Sequence, residues 1–265
     1  MSDVARAVCE WLNKSGYPLE MAVAASLRHA GFGVVQSEYF QDLGSGKWRE
    51  TDVIAYEEAR GKACRAVFAL VAECKGGKDK PWILFTSEDA YPPGLSVARR
   101  ATTSAGESIL NVLGLRSEVT SSPLFAVPPR PGHGLTLAFR DSEKSDHTHE
   151  ALDSVCKAAI GFVRRLAAVE HETIIPFGWP AIVIDAPLVE AFLDGSGDLQ
   201  VHQINEGLLI WKNPVVTRHT IVPIYTRNRF LELAPTLRTG ALKFLELVAA
   251  ENDRHPRTVQ PKDAG

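Results

Sequence analysis

The chain has few cysteines and no segment long and apolar enough to suggest a membrane span. Its four cysteines, Cys9, Cys64, Cys74 and Cys156, form no CxxC pair, which favours reduced thiols over a disulfide framework. No uncharged apolar stretch approaches the roughly 18–20 residues that cross a bilayer. The N-terminus carries acid and lacks the apolar core of a secretory signal. These absences predict a soluble, cytoplasmic protein.

An excess of positive charge is also missing. The chain has 29 Lys and Arg against 32 Asp and Glu, a net charge of −3. No global field therefore attracts a polyanion, and any contact with nucleic acid must use a local basic surface. Three arginine pairs are candidates for such contacts, although doublets of this kind are commonly ordinary surface charge: Arg99 and Arg100, Arg164 and Arg165, and Arg227 and Arg229.

The hydrophobic pattern predicts an α/β chain. Of its 265 residues, 45% are hydrophobic, enough to bury a full core. Ala66–Glu73 is a nearly continuous apolar run, which is typical of a central strand covered on both faces. The other predicted elements are helices at Val4–Asn13, from Pro18 to Ala30, Val97–Leu113, Ala151–Val169 and Leu233–Ala250, and strands at Gly33–Gln41, Trp48–Tyr56, Trp82–Thr86 and within 181–224.

The organisation predicted from this pattern is one α/β domain over residues 1–250. Its core covers about 15–115, and further strands and helices over about 150–250 continue the sheet. The polar stretch Arg140–Glu150 separates the two halves, and neither half has a Gly/Ser linker. The polar tail, 251–265, is expected to fray.

One group of residues suggests chemistry. Asp52 begins one apolar run, and Glu73-Cys74-Lys75 ends the next. In a strand, alternate side chains share a face, so Glu73 and Lys75 project together while Cys74 points away. If the two strands pair, Asp52 converges with Glu73, and two acids at one site favour a hard divalent cation. Glu20 lies at the flank of the apolar stripe of the second helix and can reach toward the sheet edge.

The order of these elements resembles the PD-(D/E)XK nuclease superfamily over residues 15–85. The matching segments are the helix with Glu20, then Arg49–Ile54, then Leu70–Lys75. The resemblance implies a restriction-endonuclease-like fold, with a mixed central sheet flanked by helices, extended here by C-terminal strands and helices. One departure is Thr51, which stands where the family motif has proline.

The resemblance also implies roles for individual residues. Glu20, Asp52 and Glu73 would bind the metal, with the backbone carbonyl of Cys74 as a further ligand, and Lys75 would be the catalytic lysine. The expected cofactor is Mg²⁺, for which Mn²⁺ can substitute, and the expected activity is phosphodiester hydrolysis on DNA in a bacterial defence or mobile-element context. A bound metal activates water and offsets transition-state charge. Lys75 would orient or deprotonate that water, or contact the scissile phosphate.

Simpler interpretations stay open. A Glu-x-Lys at a strand end is commonly a solvated ion pair, Asp52 can be an edge charge, and Glu20 can be a first-turn carboxylate favoured by the helix dipole. The alternative function is a catalytically inactive binding or interaction module with the nuclease fold. A third interpretation is an unrelated α/β protein with a surface ion pair. The choice between DNA and RNA as substrate stays open. So does the question of a homodimer or a protein partner.

Overall fold

One mixed β-sheet runs through the chain, and helices cover both of its faces. The computed structural model describes residues 2–13, 15–42, 44–77, 80–88, 91, 93–98, 100–139, 147–169, 172–212 and 219–256. Its elements, in chain order, are α1 (Asp3–Asn13), α2 (Tyr17–Ala30), β1 (Gly33–Gln41), β2 (Trp48–Arg60), β3 (Arg65–Lys75), β4 (Trp82–Thr86), α3 (Pro93–Ala98), β5 (Ala101–Thr102), α4 (Ser104–Leu113), α5 (Ser117–Thr120), β6 (Gly132–Leu137), α6 (His147–Ala167), β7 (Ile174–Ile184), β8 (Leu188–Leu193), β9 (Leu199–Ile204), β10 (Glu206–Lys212), β11 (His219–Thr226) and α7 (Arg227–Arg254).

The strand order joins both halves of the chain in one sheet. It runs β1-β2-β3-β7-β11-β10-β6-β4-β8-β9, and the short β5 pairs with β7. β1, β2 and β3 are antiparallel neighbours. β7 then pairs in parallel with the whole of β3, from Arg65↔Ile174 to Lys75↔Ile184. The predicted α/β class, with a mixed sheet flanked by helices, is confirmed.

β3 is a central strand with both faces covered. Phe68 and Leu70 pack into the core that contains α2 and α7, whereas Val67 and Val71 pack into the core that contains α6. Because side chains alternate along a strand, Glu73 projects toward α6 and Cys74 toward α2. Two covered faces explain why this segment is continuously apolar.

The predicted helix at Val97–Leu113 is interrupted, and its greater part forms α4, Ser104–Leu113. The chain forms α3, then β5, and then starts α4 after Thr103, whose Oγ1 accepts a hydrogen bond from the Gly106 amide at 3.3 Å. Thr102 Oγ1 donates to the Pro176 carbonyl at 2.6 Å. The two threonines therefore end one segment and begin the next, because their hydroxyls bond the backbone in place of a helical turn.

Several boundaries also differ from the predicted ones. β7 begins at Ile174, seven residues before the predicted Ala181, because prolines and a glycine obscured its pattern. Gly178 is needed there, since a Cβ would lie 2.8 Å from the Ala159 carbonyl oxygen of α6. β2 continues to Arg60, past the predicted strand end at Tyr56.

The last helix is longer than predicted. α7 runs through Arg254, and Glu251 is buried with its Oε2 accepting from Arg116 Nη2 at 2.7 Å. The tail that was expected to fray, 251–265, therefore begins inside a helix. Residues 257–265 lie outside the described residues. Among the described helices, none has the length and apolarity that a membrane span requires.

Candidate functional site

β2 and β3 separate at the predicted acids. Their ladder ends at Val53↔Ala72. Beyond that point, the carboxylate of Asp52 takes the place of a backbone partner, because its Oδ2 accepts a hydrogen bond from the Cys74 amide at 2.7 Å. The Asp52 side chain thus lies in the gap between the two strands, next to the end of β3.

The backbone of Cys74 faces the same gap. The N–H and C=O of one strand residue point to the same side, so the carbonyl of Cys74 is directed toward β2, as its amide is. The thiol of Cys74 is buried in the α2 core. Burial, together with the nearby charge of Asp52, raises the pKa of this thiol well above its usual value. The carbonyl, and not the sulfur, is therefore the group that a ligand in the gap would meet.

Glu73 and Lys75 form an ion pair on the α6 side of β3. Lys75 Nζ lies 2.7 Å from Glu73 Oε1, and Ser154 Oγ on α6 donates to Glu73 Oε2 at 3.0 Å. Burial acts to lower the pKa of Lys75, but the Glu73 carboxylate outweighs it and raises that pKa above the usual value. Both oxygens of the buried Glu73 carboxylate are thereby held in place.

Negative charge is crowded at this site. Burial, and then the charge of Glu73, raise the pKa of Asp52 to about 7, against the opposing hydrogen bond from the Cys74 amide. Burial, followed by the charges of Glu50 and Glu73, also raises the pKa of Glu20. The structure therefore brings Glu20 from α2 within electrostatic range of the acids of β2 and β3. Carboxylates that raise one another's pKa form a site that a cation would stabilise.

β1 is irregular opposite Asp52. The pairing passes from Gln36↔Val53 to Glu38↔Thr51, without a pair between them. The intervening Ser37 has a left-handed φ of 55°, a conformation that is uncommon for residues other than glycine. Such geometry is found disproportionately at functional sites. The sequence had no signal for Ser37, nor for the contact of Ser154 with Glu73.

The donor set suits a hard cation, although the groups do not already surround one. Carboxylates and a backbone carbonyl are the ligand types that Mg²⁺ takes. Within the described residues, no three His, Cys, Asp or Glu side chains are arranged to hold a metal ion. Glu73 is instead neutralised by Lys75. The ligand roles of Glu20, Asp52, Glu73 and Cys74, and the catalytic role of Lys75, stay predictions.

The crowded acids predict that the metal-free protein is more stable at lower pH. The pKa of Asp52 is about 7 in the folded protein, against an ordinary value of 3.8. The folded state binds the Asp52 proton more tightly than the unfolded state does, so ionised Asp52 destabilises the fold. This destabilisation is complete above about pH 7 and disappears as the pH falls toward about 4. We expect Asp52→Asn to raise the free energy of unfolding at about pH 8 by about 2–4 kcal/mol, since one pKa unit is about 1.4 kcal/mol.

Urea unfolding in the presence of EDTA, between about pH 5 and pH 8, measures this effect. Glu58→Gln is the matched control, because Glu58 is an exposed carboxylate on the same strand. The control should keep the wild-type pH dependence, whereas Asp52→Asn should flatten it. The same pH dependence in all three proteins would show that folding does not raise the pKa of Asp52.

Only part of the predicted basic surface is exposed. Arg164 and Arg165 are exposed on α6, but Arg100 is buried, with its guanidinium 3.8 Å from the centre of the Trp179 ring. Arg100 also donates to the Ser96 and Ile221 carbonyls. Its predicted contact with nucleic acid is therefore wrong, and Arg99 lies outside the described residues.

The chain matches none of the protein-family models, curated proteins or solved structures compared with it. These comparisons therefore assign no function to this site. The site itself consists of three carboxylates, a backbone carbonyl and one ammonium group at the point where two strands part.

Proposed function

We propose that the protein is a metal-dependent phosphodiester hydrolase that acts on DNA, built on a restriction-endonuclease-like α2-β1-β2-β3 unit. One observation carries the proposal. Asp52 bridges the gap between β2 and β3 by accepting the Cys74 amide at 2.7 Å, and this places it beside Glu73 and Lys75 where the strands part. Burial, together with repulsion between the acids, raises the pKa of Asp52 and of Glu20, and a cation in the gap would offset this cost.

Each residue then has a role. Glu20, Asp52, Glu73 and the Cys74 carbonyl would hold Mg²⁺ or Mn²⁺, and the cation would supply a more acidic water and offset negative charge on the phosphate. Ser154 and the Cys74 amide orient the Glu73 and Asp52 carboxylates. The ammonium of Lys75 orients the attacking water or contacts the phosphate.

A second function has its own support. The 2.7 Å ion pair with Lys75 occupies Glu73, and among the described side chains no three acidic, histidine or cysteine groups already form a metal site. These two observations favour a catalytically inactive module with the same fold, in which the ion pair is purely structural. The two functions differ in one measurable property, which is whether the acids bind a divalent cation.

Calorimetric titration of Mn²⁺ and of Mg²⁺ into the metal-free protein tests this difference. The wild-type protein should bind either ion. Asp52→Asn should lose at least roughly 10-fold in affinity, because a charged ligand becomes neutral. Glu58→Gln, an exposed control on the same strand, should bind as the wild type does. An absence of binding by the wild type would overturn the hydrolase and favour the inactive module.

A further inference from the structure

A cavity lies between the C-terminal half of α6 and the turn end of the β1–β2 hairpin. Its volume is about 560 Å³, which is within the range of small-ligand sites. Ala158, Gly161 and Phe162 line it from the helix, and Phe40 and Thr51 are among the residues that line it from the strands. We call this space the α6 cavity.

The walls of the α6 cavity are mainly apolar. Phe40, Ile54 and Phe162 line it, are buried, and belong to the core that contains α6. Phe40 lies directly against the helix, since a Cβ on Gly161 would be 3.1 Å from the Phe40 Cβ. These side chains offer carbon surface to whatever occupies the space. A ligand that fills the cavity must therefore be largely apolar.

Thr51 directs its side chain toward the α6 cavity. It lies opposite Glu38 in the pairing of β1 with β2, and directly paired residues project to the same face. That face is the α6 side, because the Glu38 carboxylate pairs with the Arg165 guanidinium. Val53 packs instead into the core that contains α2, although residues two apart in a regular strand share a face. The irregular stretch at Asp52 thus brings Thr51 to the α6 side.

The hydroxyl of Thr51 is buried and lacks a partner. Thr51 is 1% exposed, and none of the residues that the structure describes hydrogen-bonds its Oγ1. A buried polar atom without a partner costs stability. A water molecule would itself need two to four polar partners, whereas the walls around this hydroxyl are mostly carbon. A ligand with one hydrogen-bonding group would both fill the space and satisfy the hydroxyl.

Two charged side chains that line the α6 cavity neutralise each other. The Arg165 guanidinium pairs with the Glu38 carboxylate. An anionic ligand would have to displace Glu38 from this pair, and a cationic ligand would have to displace Arg165. An uncharged ligand meets neither penalty, so the cavity favours a neutral molecule.

We propose that the α6 cavity binds a small, uncharged and largely apolar molecule that carries one hydrogen-bonding group. The apolar body of this molecule packs against Phe40, Ile54 and Phe162, and its polar group bonds Thr51 Oγ1. The site uses none of the acids of the candidate metal site. The proposal therefore goes beyond the hydrolase and does not depend on it.

Fluorescence titration with N-phenylnaphthylamine, in the presence of EDTA, tests the proposal. This dye is uncharged, has one N–H beside its aromatic rings, and emits more strongly in apolar surroundings. We expect saturable binding of one dye molecule per wild-type chain. The anionic analogue anilinonaphthalene sulfonate has the same rings and should bind more weakly, because its charge meets that of Glu38.

Thr51→Val should change binding and stability in opposite directions. Valine has nearly the same shape without the hydroxyl, so affinity for the uncharged dye should fall roughly 2- to 10-fold, the scale of one hydrogen bond. The urea midpoint of the ligand-free protein should rise, since an unpaired buried hydroxyl is removed. Thr136→Val on β6 is the matched control, because β3, β7, β11 and β10 separate β6 from β2. It should bind the dye as the wild type does.

Ala158→Leu should block the α6 cavity. Ala158 is buried in its wall, and a leucine there should lower the affinity at least roughly 10-fold, because its added carbons would overlap the dye. Equal affinities for the wild type, Thr51→Val and Ala158→Leu would overturn the proposal, as would tighter binding of the sulfonate than of the uncharged dye. Because these measurements need no metal, their failure is distinct from a failure of Mn²⁺ to bind at the acids.

Discussion

Asp52→Asn is expected to abolish Mg²⁺-dependent cleavage of DNA, with a loss of at least roughly 10³-fold. Asparagine keeps the shape of the side chain and an oxygen that can accept the Cys74 amide, which Asp52 accepts at 2.7 Å. It removes the negative charge that would hold the cation. A bound metal contributes several kcal/mol of transition-state stabilisation, and each 1.4 kcal/mol or so is about a tenfold change in rate.

Conversion of supercoiled plasmid to nicked and linear forms, with Mg²⁺ or Mn²⁺, measures this loss. Glu58→Gln on the same strand should cleave at the wild-type rate. The same Asp52→Asn protein is expected to be more stable than the wild type without metal, so a loss of activity with higher stability cannot come from unfolding. Full cleavage by Asp52→Asn would remove Asp52 from the mechanism.

Lys75→Met is expected to lower the cleavage rate by roughly 10²–10⁴-fold, the usual contribution of a positioned acid or base. Methionine has a similar length and cannot donate or accept a proton at this position. Lys75 Nζ lies 2.7 Å from Glu73 Oε1, so its loss frees that carboxylate and should leave Mn²⁺ binding in place. A protein that binds the metal but does not cleave would identify Lys75 as a group that acts on water or phosphate.

Lys75→Arg separates the two roles of the lysine. Arginine keeps the positive charge and can contact a phosphate, but it stays protonated and cannot take a proton from water. Recovery of the rate in Lys75→Arg would assign a phosphate contact, and its absence would favour proton transfer. If Lys75→Met cleaves at the wild-type rate, the ion pair with Glu73 is structural, as in the inactive module.

Strand periodicity made the core of the site predictable. The continuous apolar run of β3 ends in Glu73-Cys74-Lys75. Because successive side chains of a strand point to opposite faces, Glu73 and Lys75 share one face whatever the rest of the fold is. The structure has this ion pair. Asp52 could be connected to β3 only by assuming that two adjacent apolar strands pair, as β2 and β3 do.

Other features had no local signal. The contact between Ser154 and Glu73 joins residues 81 positions apart, and Ser154 is one of many polar residues on a helix. The first half of β7 contains Pro176 and Gly178, residues that are depleted in strands. It forms a strand because its parallel pairing with β3 and its close contact with α6 outweigh the local preference.

The amino-acid sequence by itself determined the α/β class, most of the strands, and the side-by-side placement of Glu73 and Lys75, because each of these follows from periodicity over a few neighbouring residues. Only the tertiary structure decided the gap between β2 and β3, the hydrogen bond of Asp52 to Cys74 and the contact of Ser154 with Glu73. These features depend on where paired strands part and on how a distant helix packs across them, and such long-range contacts leave no pattern in the local sequence.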